Sequence, residues 1–169
     1  MVGSLEDLMQ KVKGSRRTTI AVAAAEDSYI LEMARESARQ GLADFILIGD
    51  RRRIMAIARE NGVDLEFEVV DEADHAMAAR KAVALVKENR AGALMKGMLH
   101  TGVFFKAVLD KEAEFNRGRL ITQVSVYDKV EGEGLQLLTD CAMVIQPTLE
   151  QKVQIIENAV DLARNLGYQ

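Results

Sequence analysis

The densest chemistry in the chain lies in Ala93-Leu94-Met95-Lys96-Gly97-Met98-Leu99-His100-Thr101-Gly102. An apolar, strand-like run ends in a lysine, a glycine turn, a histidine and a threonine placed to cap a helix. A strand-to-helix junction leaves the first backbone N–H groups of the helix unpaired and presents the positive end of its dipole. It therefore suits an anionic oxygen ligand, with phosphate the natural one. Lys96 would supply a cation, or stand only as a strand-end lysine in water; Thr101 would cap the helix and could add a hydroxyl, and the amides of Gly102 and Val103 would be the helix-end donors. Gly97 and Gly102 would let the backbone approach closely. His100 could hydrogen-bond a phosphate or shuttle a proton, or serve only as a structural donor at the helix start.

Elsewhere the chemistry is sparser. Asp140 ends a strand on the same presumed edge, where it could orient backbone amides or the lysine, or simply cap a loop. Cys141 is the only cysteine and has no Cys-His constellation around it, so it reads as buried packing. A lone cysteine excludes an internal disulfide and a Cys-rich zinc site, and suits a reducing, cytoplasmic setting. No Gly-x-Gly-x-x-Gly follows the first strand, where Ala23-Ala24-Ala25-Glu26-Asp27 stands instead, which disfavours a dinucleotide. The eight methionines read as core filling.

The elements that must position these groups follow a strand–helix alternation. With 169 residues, 49% of them hydrophobic and 28% charged, the chain suits one α/β domain over residues 1–169 with a sizeable core and a soluble surface. A formal charge of −4 argues against nucleic acid, which is held by a surplus of Lys and Arg. Arg51-Arg52-Arg53 then reads as a solvated helix start. No apolar run approaches the roughly 18 residues needed to span a bilayer.

Thr18 to Ala23 predicts a first strand and Asp27 to Gln40 a helix stopped by Gly41. Phe45 to Gly49 predicts a second strand, and Asp50 caps a helix that ends at Asn61-Gly62. Leu65 to Val70 predicts a third strand, Asp71 opens a long helix, and Ala93 to Lys96 is a fourth strand, followed by a helix over about Thr101 to Lys111. Strands that are apolar throughout, separated by helices, indicate a parallel sheet covered on both faces. Leu120 to Tyr127 alternates at period two and is joined by Glu131-Gly132-Glu133-Gly134 to Leu135–Thr139, which predicts a hairpin. The fold expected is a doubly wound three-layer α/β/α sandwich, its mostly parallel sheet carrying the antiparallel hairpin at one edge.

After Pro147, Thr148-Leu149-Glu150-Gln151 forms a Thr-x-x-Gln capping box for a last helix. That helix has two apolar stripes: Leu149, Val153, Ile156, Val160 and Ala163, and beside it Ile155, Ala159, Leu162 and Leu166. Either both face the domain's own sheet or part of the face meets another domain or subunit.

Several segments in register carry a family resemblance. Leu94-Met95-Lys96-Gly97 through His100-Thr101, Phe105 to Glu112, Gly118-Arg119-Leu120, Leu138 to Ala142 and Gln146 to Val153 together resemble the amino-terminal half of phosphate acyltransferases. The phosphate butyryltransferase branch is closer than the phosphate acetyltransferase branch. The resemblance implies reversible transfer of a butyryl or acetyl group between coenzyme A and inorganic phosphate, giving an acyl phosphate. It implies direct attack on the acyl carbonyl, with no metal and no permanently bound cofactor, and with coenzyme A or acyl-CoA as substrate. It also implies that Lys106 stands where the acetyltransferase branch carries a substrate-binding arginine, although lysine is a weaker bidentate partner.

The resemblance also implies a longer, two-domain chain whose principal catalytic groups are expected in a second half not present in this sequence. The partners implied are acyl-CoA and inorganic phosphate, with no nucleic acid or membrane, and either a homodimer or association with that second half. Two other classes stay open: a non-catalytic phosphate- or ligand-binding α/β module, and an assembly domain that uses the last helix.

Overall fold

Side-chain alternation along two apolar strands builds both faces of the central sheet. In the computed structural model, which describes residues 2–115 and 118–168, β1 (Thr18–Ala23) and β2 (Ala43–Gly49) pair in parallel, with Ile20 opposite Phe45 and Val22 opposite Leu47. Ala21, Ala23, Ile46 and Ile48 point to one face, where α4 (His75–Lys87) and α5 (Thr101–Val108) cover them with Ala78, Ala79, Ala82, Val83 and Ala107. Val22, Phe45 and Leu47 point to the other, under Leu31 and Ala34 of α2 (Ser28–Arg39) and Ile54 and Ala58 of α3 (Arg51–Glu60). Each fully buried aliphatic side chain contributes roughly 1.5–3 kcal/mol, so two packed faces give the sheet a self-sufficient core. β3 (Glu68–Asp71) adds beside β2 and β4 (Ala93–Lys96) beside β1, for an all-parallel order β3-β2-β1-β4.

The chain divides into two compact units, residues 15–115 and a second made of the first fourteen residues with those from 116 onward. The second contains α1 (Leu5–Lys13), the hairpin β5 (Ser125–Asp128) and β6 (Leu135–Leu138), and α6 (Leu149–Asn165). Its core gathers Val2, Leu8, Val126, Leu135, Leu137, Leu162, Leu166 and Tyr168. The Tyr168 hydroxyl donates to the Val2 carbonyl at 2.7 Å and accepts from the Leu135 amide at 3.2 Å. No helix among the described residues is long and apolar enough to cross a membrane.

The layered α/β class and the four parallel strands agree with the sequence reading, and several details are corrected. The hairpin forms, but as a separate two-stranded sheet rather than an edge of the parallel one, because Val126, Leu135 and Leu137 find apolar partners in α1 and α6. β5 starts only at Ser125, since side chains claim the backbone before it. Gln154 accepts from the Leu120 amide, Asn158 donates to the Leu120 carbonyl, and Asp140 accepts from the Gln123 amide.

Asp71 does not open α4. It ends β3, and Asp74 caps the helix by accepting from the Met77 amide at 2.8 Å. α1 went unread in the sequence although Ser4 caps it and Glu6 and Asp7 favour its first turn. Met9, Met55, Met77 and Met98 are exposed rather than core-filling. Cys141 is likewise an exposed free thiol, not buried packing, because it lies in the loop after β6.

On α6 the two stripes part company. Ile155 and Leu166 are buried and Leu162 packs in the core, whereas Leu149, Val153, Ile156 and Val160 lie in solvent, Leu149 at 74% exposure and Ile156 at 61%.

Candidate functional site

The strand order places a switch between β1 and β4. From β1 the chain steps outward through β2 to β3, then returns to lay β4 on the opposite side of β1. In open α/β sheets the loops leaving the carboxyl ends of strands part at such a point, and ligands bind in the crevice between them. Lys96, the last residue of β4, pairs with Ala23, the last residue of β1, so the lysine nominated by the sequence stands at the switch.

Gly97 is a close-approach glycine. Its amide donates to the Ala23 carbonyl at 2.8 Å and the Met98 amide to the Ala24 carbonyl at 2.7 Å. A Cβ on Gly97 would lie 2.0 Å from the Ala24 carbonyl oxygen, so any side chain must force two strand ends apart. Ala24 itself is fully buried with φ +57°, a left-handed conformation that costs a non-glycine residue energy and is held by its surroundings. Gly102, by contrast, has open space where a Cβ would stand.

The Lys96 ammonium donates to the carbonyls of Gly97 at 3.2 Å and Leu99 at 3.0 Å. An ammonium has three N–H donors, so the lysine braces the turn with two, and the third has no acceptor among the described residues. α5 begins at Thr101, and the residue flanking it is His100, with extended backbone at φ −62°, ψ 136°. This corrects the assignment of Thr101 as the cap: the His100 carbonyl accepts from the amides of Val103 at 3.0 Å and Phe104 at 3.1 Å, and no side chain caps the helix. The Val103 amide is thereby occupied, whereas the amides of His100, Thr101 and Gly102 have no acceptor among the described residues. His100, Thr101 and Gly102 are exposed. The junction thus offers one ammonium proton, a run of backbone N–H groups, a hydroxyl and an imidazole within a few residues.

Lys106 is exposed on the same helix, but five residues on from Thr101, about 7.5 Å along the axis and roughly 140° around it. No hydrogen bond among the described residues ties it to Lys96 or His100. Asp140 belongs to the other compact unit. Its carboxylate accepts from the amides of Gln123 at 3.1 Å, Ala142 at 3.0 Å and Met143 at 2.8 Å. Desolvation raises its pKa, but those amide hydrogen bonds together outweigh it and hold the carboxyl below its ordinary value. Asp140 therefore orders the loop after β6.

Sequence reasoning missed Glu26. It is 8% exposed, and its Oε1 accepts from the Asp50 amide at 2.7 Å, while Oε2 is buried with no hydrogen-bond partner among the described residues. No local signal marks it, since Asp27 beside it is charged as well and serves only as a helix cap. Among the described residues no group of three His, Cys, Asp or Glu side chains is arranged to hold a metal ion. A cavity of about 510 Å³ lined by Arg80, Val83, Lys87, Ala107, Asp110 and Ala113 shares no residue with the junction.

Comparison with known proteins places this geometry in context. The family model described as phosphate acetyl/butaryl transferase matches residues 4–80 and 66–169. The chain is 36% identical over 170 residues to a phosphate butyryltransferase of Clostridium acetobutylicum, covering all of this chain and 56% of that protein. It is 34% identical over 157 residues to a phosphate acetyltransferase of Rickettsia felis, covering 92% of this chain and 45% of that one. A branched-chain phosphotransacylase from Enterococcus faecalis superposes with a TM-score of 0.74 at 29% identity over 89% of this chain and 52% of its own. A phosphotransacetylase from Streptococcus pyogenes shares the fold, with a TM-score of 0.79 at 16% identity over 96% of this chain and 58% of its own. The chain thus spans about half the length of the relatives it matches.

Proposed function

Because the chain belongs to the phosphate acetyl/butaryl transferase family, we propose that it carries the phosphate-binding part of an acyltransferase. The reaction moves an acyl group between coenzyme A and inorganic phosphate. The observation that carries this reading is the junction at the β1/β4 switch, with the free ammonium proton of Lys96 beside the open amides of His100, Thr101 and Gly102.

A phosphate oxygen attacks the thioester carbonyl carbon, the carbonyl π electrons collect on oxygen, and the coenzyme A thiolate leaves as the acyl phosphate forms. Phosphate is a poor partner for such a step while it is free, hydrated and repelled by the charge that builds on the carbonyl. Lys96 and the helix-end amides hold two or more of its oxygens, offset part of that charge, and leave one oxygen facing the acyl group. The Thr101 hydroxyl and the His100 imidazole extend the same donor set. Lys106, exposed on the same helix, is a further substrate-side cation in the assembled enzyme, which works in the cytoplasm as a homodimer or together with the remaining part of the relatives' length.

The two carbonyl contacts of Lys96 favour a second reading, in which the ammonium only braces the turn of a non-catalytic module. A phosphate titration followed by amide NMR separates them. Phosphate is expected to shift His100, Thr101 and Gly102, and Lys96→Ala to weaken binding about tenfold, the effect of losing one charge-assisted hydrogen bond. Unchanged binding in Lys96→Ala assigns the lysine to bracing, and no binding at all removes the phosphate site. Release of coenzyme A from butyryl-CoA and phosphate, measured with this chain alone and with the rest of the relatives' length supplied, tests the transfer itself.

A further inference from the structure

The crossover from β1 to α2, Ala24 to Asp27, is gripped on both sides. On one side the Gly97 and Met98 amides donate to the carbonyls of Ala23 and Ala24. On the other, the Ala25 amide donates to the Ile48 carbonyl at 3.0 Å, and the Glu26 carboxylate takes the Asp50 amide at 2.7 Å. The carboxyl group fits only because residue 49 is glycine: a Cβ there would lie 2.7 Å from its carbon and from Oε1. Asp50 in turn caps α3 through the amides of Arg52 and Arg53. Glu26 thus ties the left-handed turn at Ala24 to a helix start across the sheet.

A buried carboxylate with one oxygen unpaired is a costly way to fill such a space, and an apolar side chain of similar volume would avoid the desolvation. Exceptions of this kind concentrate where a fold serves a site. We propose that Glu26 is a positioning residue for the phosphate-binding junction: its carboxylate, seated over Gly49 and bonded to the Asp50 amide, fixes the Ala24 turn against which Gly97 and Met98 are held. The proposal rests on the phosphate reading only for its consequence in binding; the positional coupling from Glu26 to Gly97 stands apart from it.

The test compares Glu26→Ala, Glu26→Gln and Gly49→Ala in this chain. Amide resonances are recorded without ligand, inorganic phosphate is then titrated, and all measurements are made well below each variant's melting temperature. Glu26→Ala is expected to move the Gly97 and Met98 resonances and weaken phosphate binding about tenfold, while Glu26→Gln, which keeps an oxygen for the Asp50 amide, stays within about threefold. Gly49→Ala, by displacing the carboxyl group, should reproduce Glu26→Ala. A general loss of packing would lower the melting temperature without this pattern.

Unshifted Gly97 and Met98 resonances with native affinity in folded Glu26→Ala overturn the proposal. If that variant does not fold, the same result in Gly49→Ala overturns it. Should the unaltered chain bind no phosphate, the phosphate reading fails by itself, and the resonances of Gly97 and Met98 alone decide the role of Glu26.

Discussion

In the 15–115 unit, β1 and β2 bury side chains on both faces of a parallel sheet, and Leu31, Leu47, Ile48 and Ile54 have no accessible surface. In the other unit a two-stranded hairpin gathers a smaller core with α1 and α6, and four large apolar residues of α6 stay in water. A sheet covered twice can hold its strand ends rigidly, and the Lys96–Gly97 turn sits at such an end, tied to Ala23 and Ala24. The hairpin, packed with α1 and α6, covers only the Leu162 and Leu166 side of α6 and leaves the other apolar stripe in water.

The sharpest way to break this contrast is Gly97→Ala. The new Cβ meets backbone rather than a flexible side chain, so the closed unit should lose about 3 kcal/mol, the top of the range for overpacking. Hydrogen exchange should locate the loss in β1 and β4 and spare β5 and β6; an unchanged exchange pattern would show that the strand ends are not rigid.

Asp140→Asn addresses the other unit. It should cost about 1 kcal/mol at neutral pH through weakened amide hydrogen bonds. Because the folded carboxyl titrates below its ordinary value, its contribution is full above the unfolded aspartate range, near pH 4, and fades as pH falls through the folded value. Thermal melts of both proteins should therefore converge on acidification, and a gap that persists at low pH would count against the carboxylate as the cause.

A smaller effect of opposite sign is expected from Gly102→Ala, which meets open space and should stabilise α5 by about 0.5 kcal/mol through lower backbone entropy in the unfolded chain. Its melting temperature should rise slightly. Least of all, Ile156→Gln should leave the stability of this chain within about 0.5 kcal/mol, since the side chain is largely in water. A clear loss in a denaturant melt would mean that the stripe is already covered.

Much of the architecture was legible because it follows from local rules. The apolar run Thr18–Ala23, the helix that follows it, the cap at Asp50, and the box of Thr148 with Gln151 each appear where residue type demanded them. The misreadings came from long-range competition. The period-two pattern of residues 120–124 is genuine, but Gln154 and Asn158 take the backbone groups a strand would need. Glu26 was passed over because nothing in its neighbours announces a carboxylate folded over Gly49, twenty-three positions away.

The sequence by itself determined the layered α/β class and the cluster of donors from Lys96 to Gly102, since strand hydrophobicity, helix capping and side-chain chemistry are properties of neighbouring residues. Only the tertiary structure decided that β4 lies beside β1, which puts that cluster at the switch in strand order. It also decided that Gly97 is held by steric necessity while Gly102 is not, and that His100 rather than Thr101 flanks the helix. These depend on which backbones approach across the sheet, and that distance is set by packing between elements far apart in the chain.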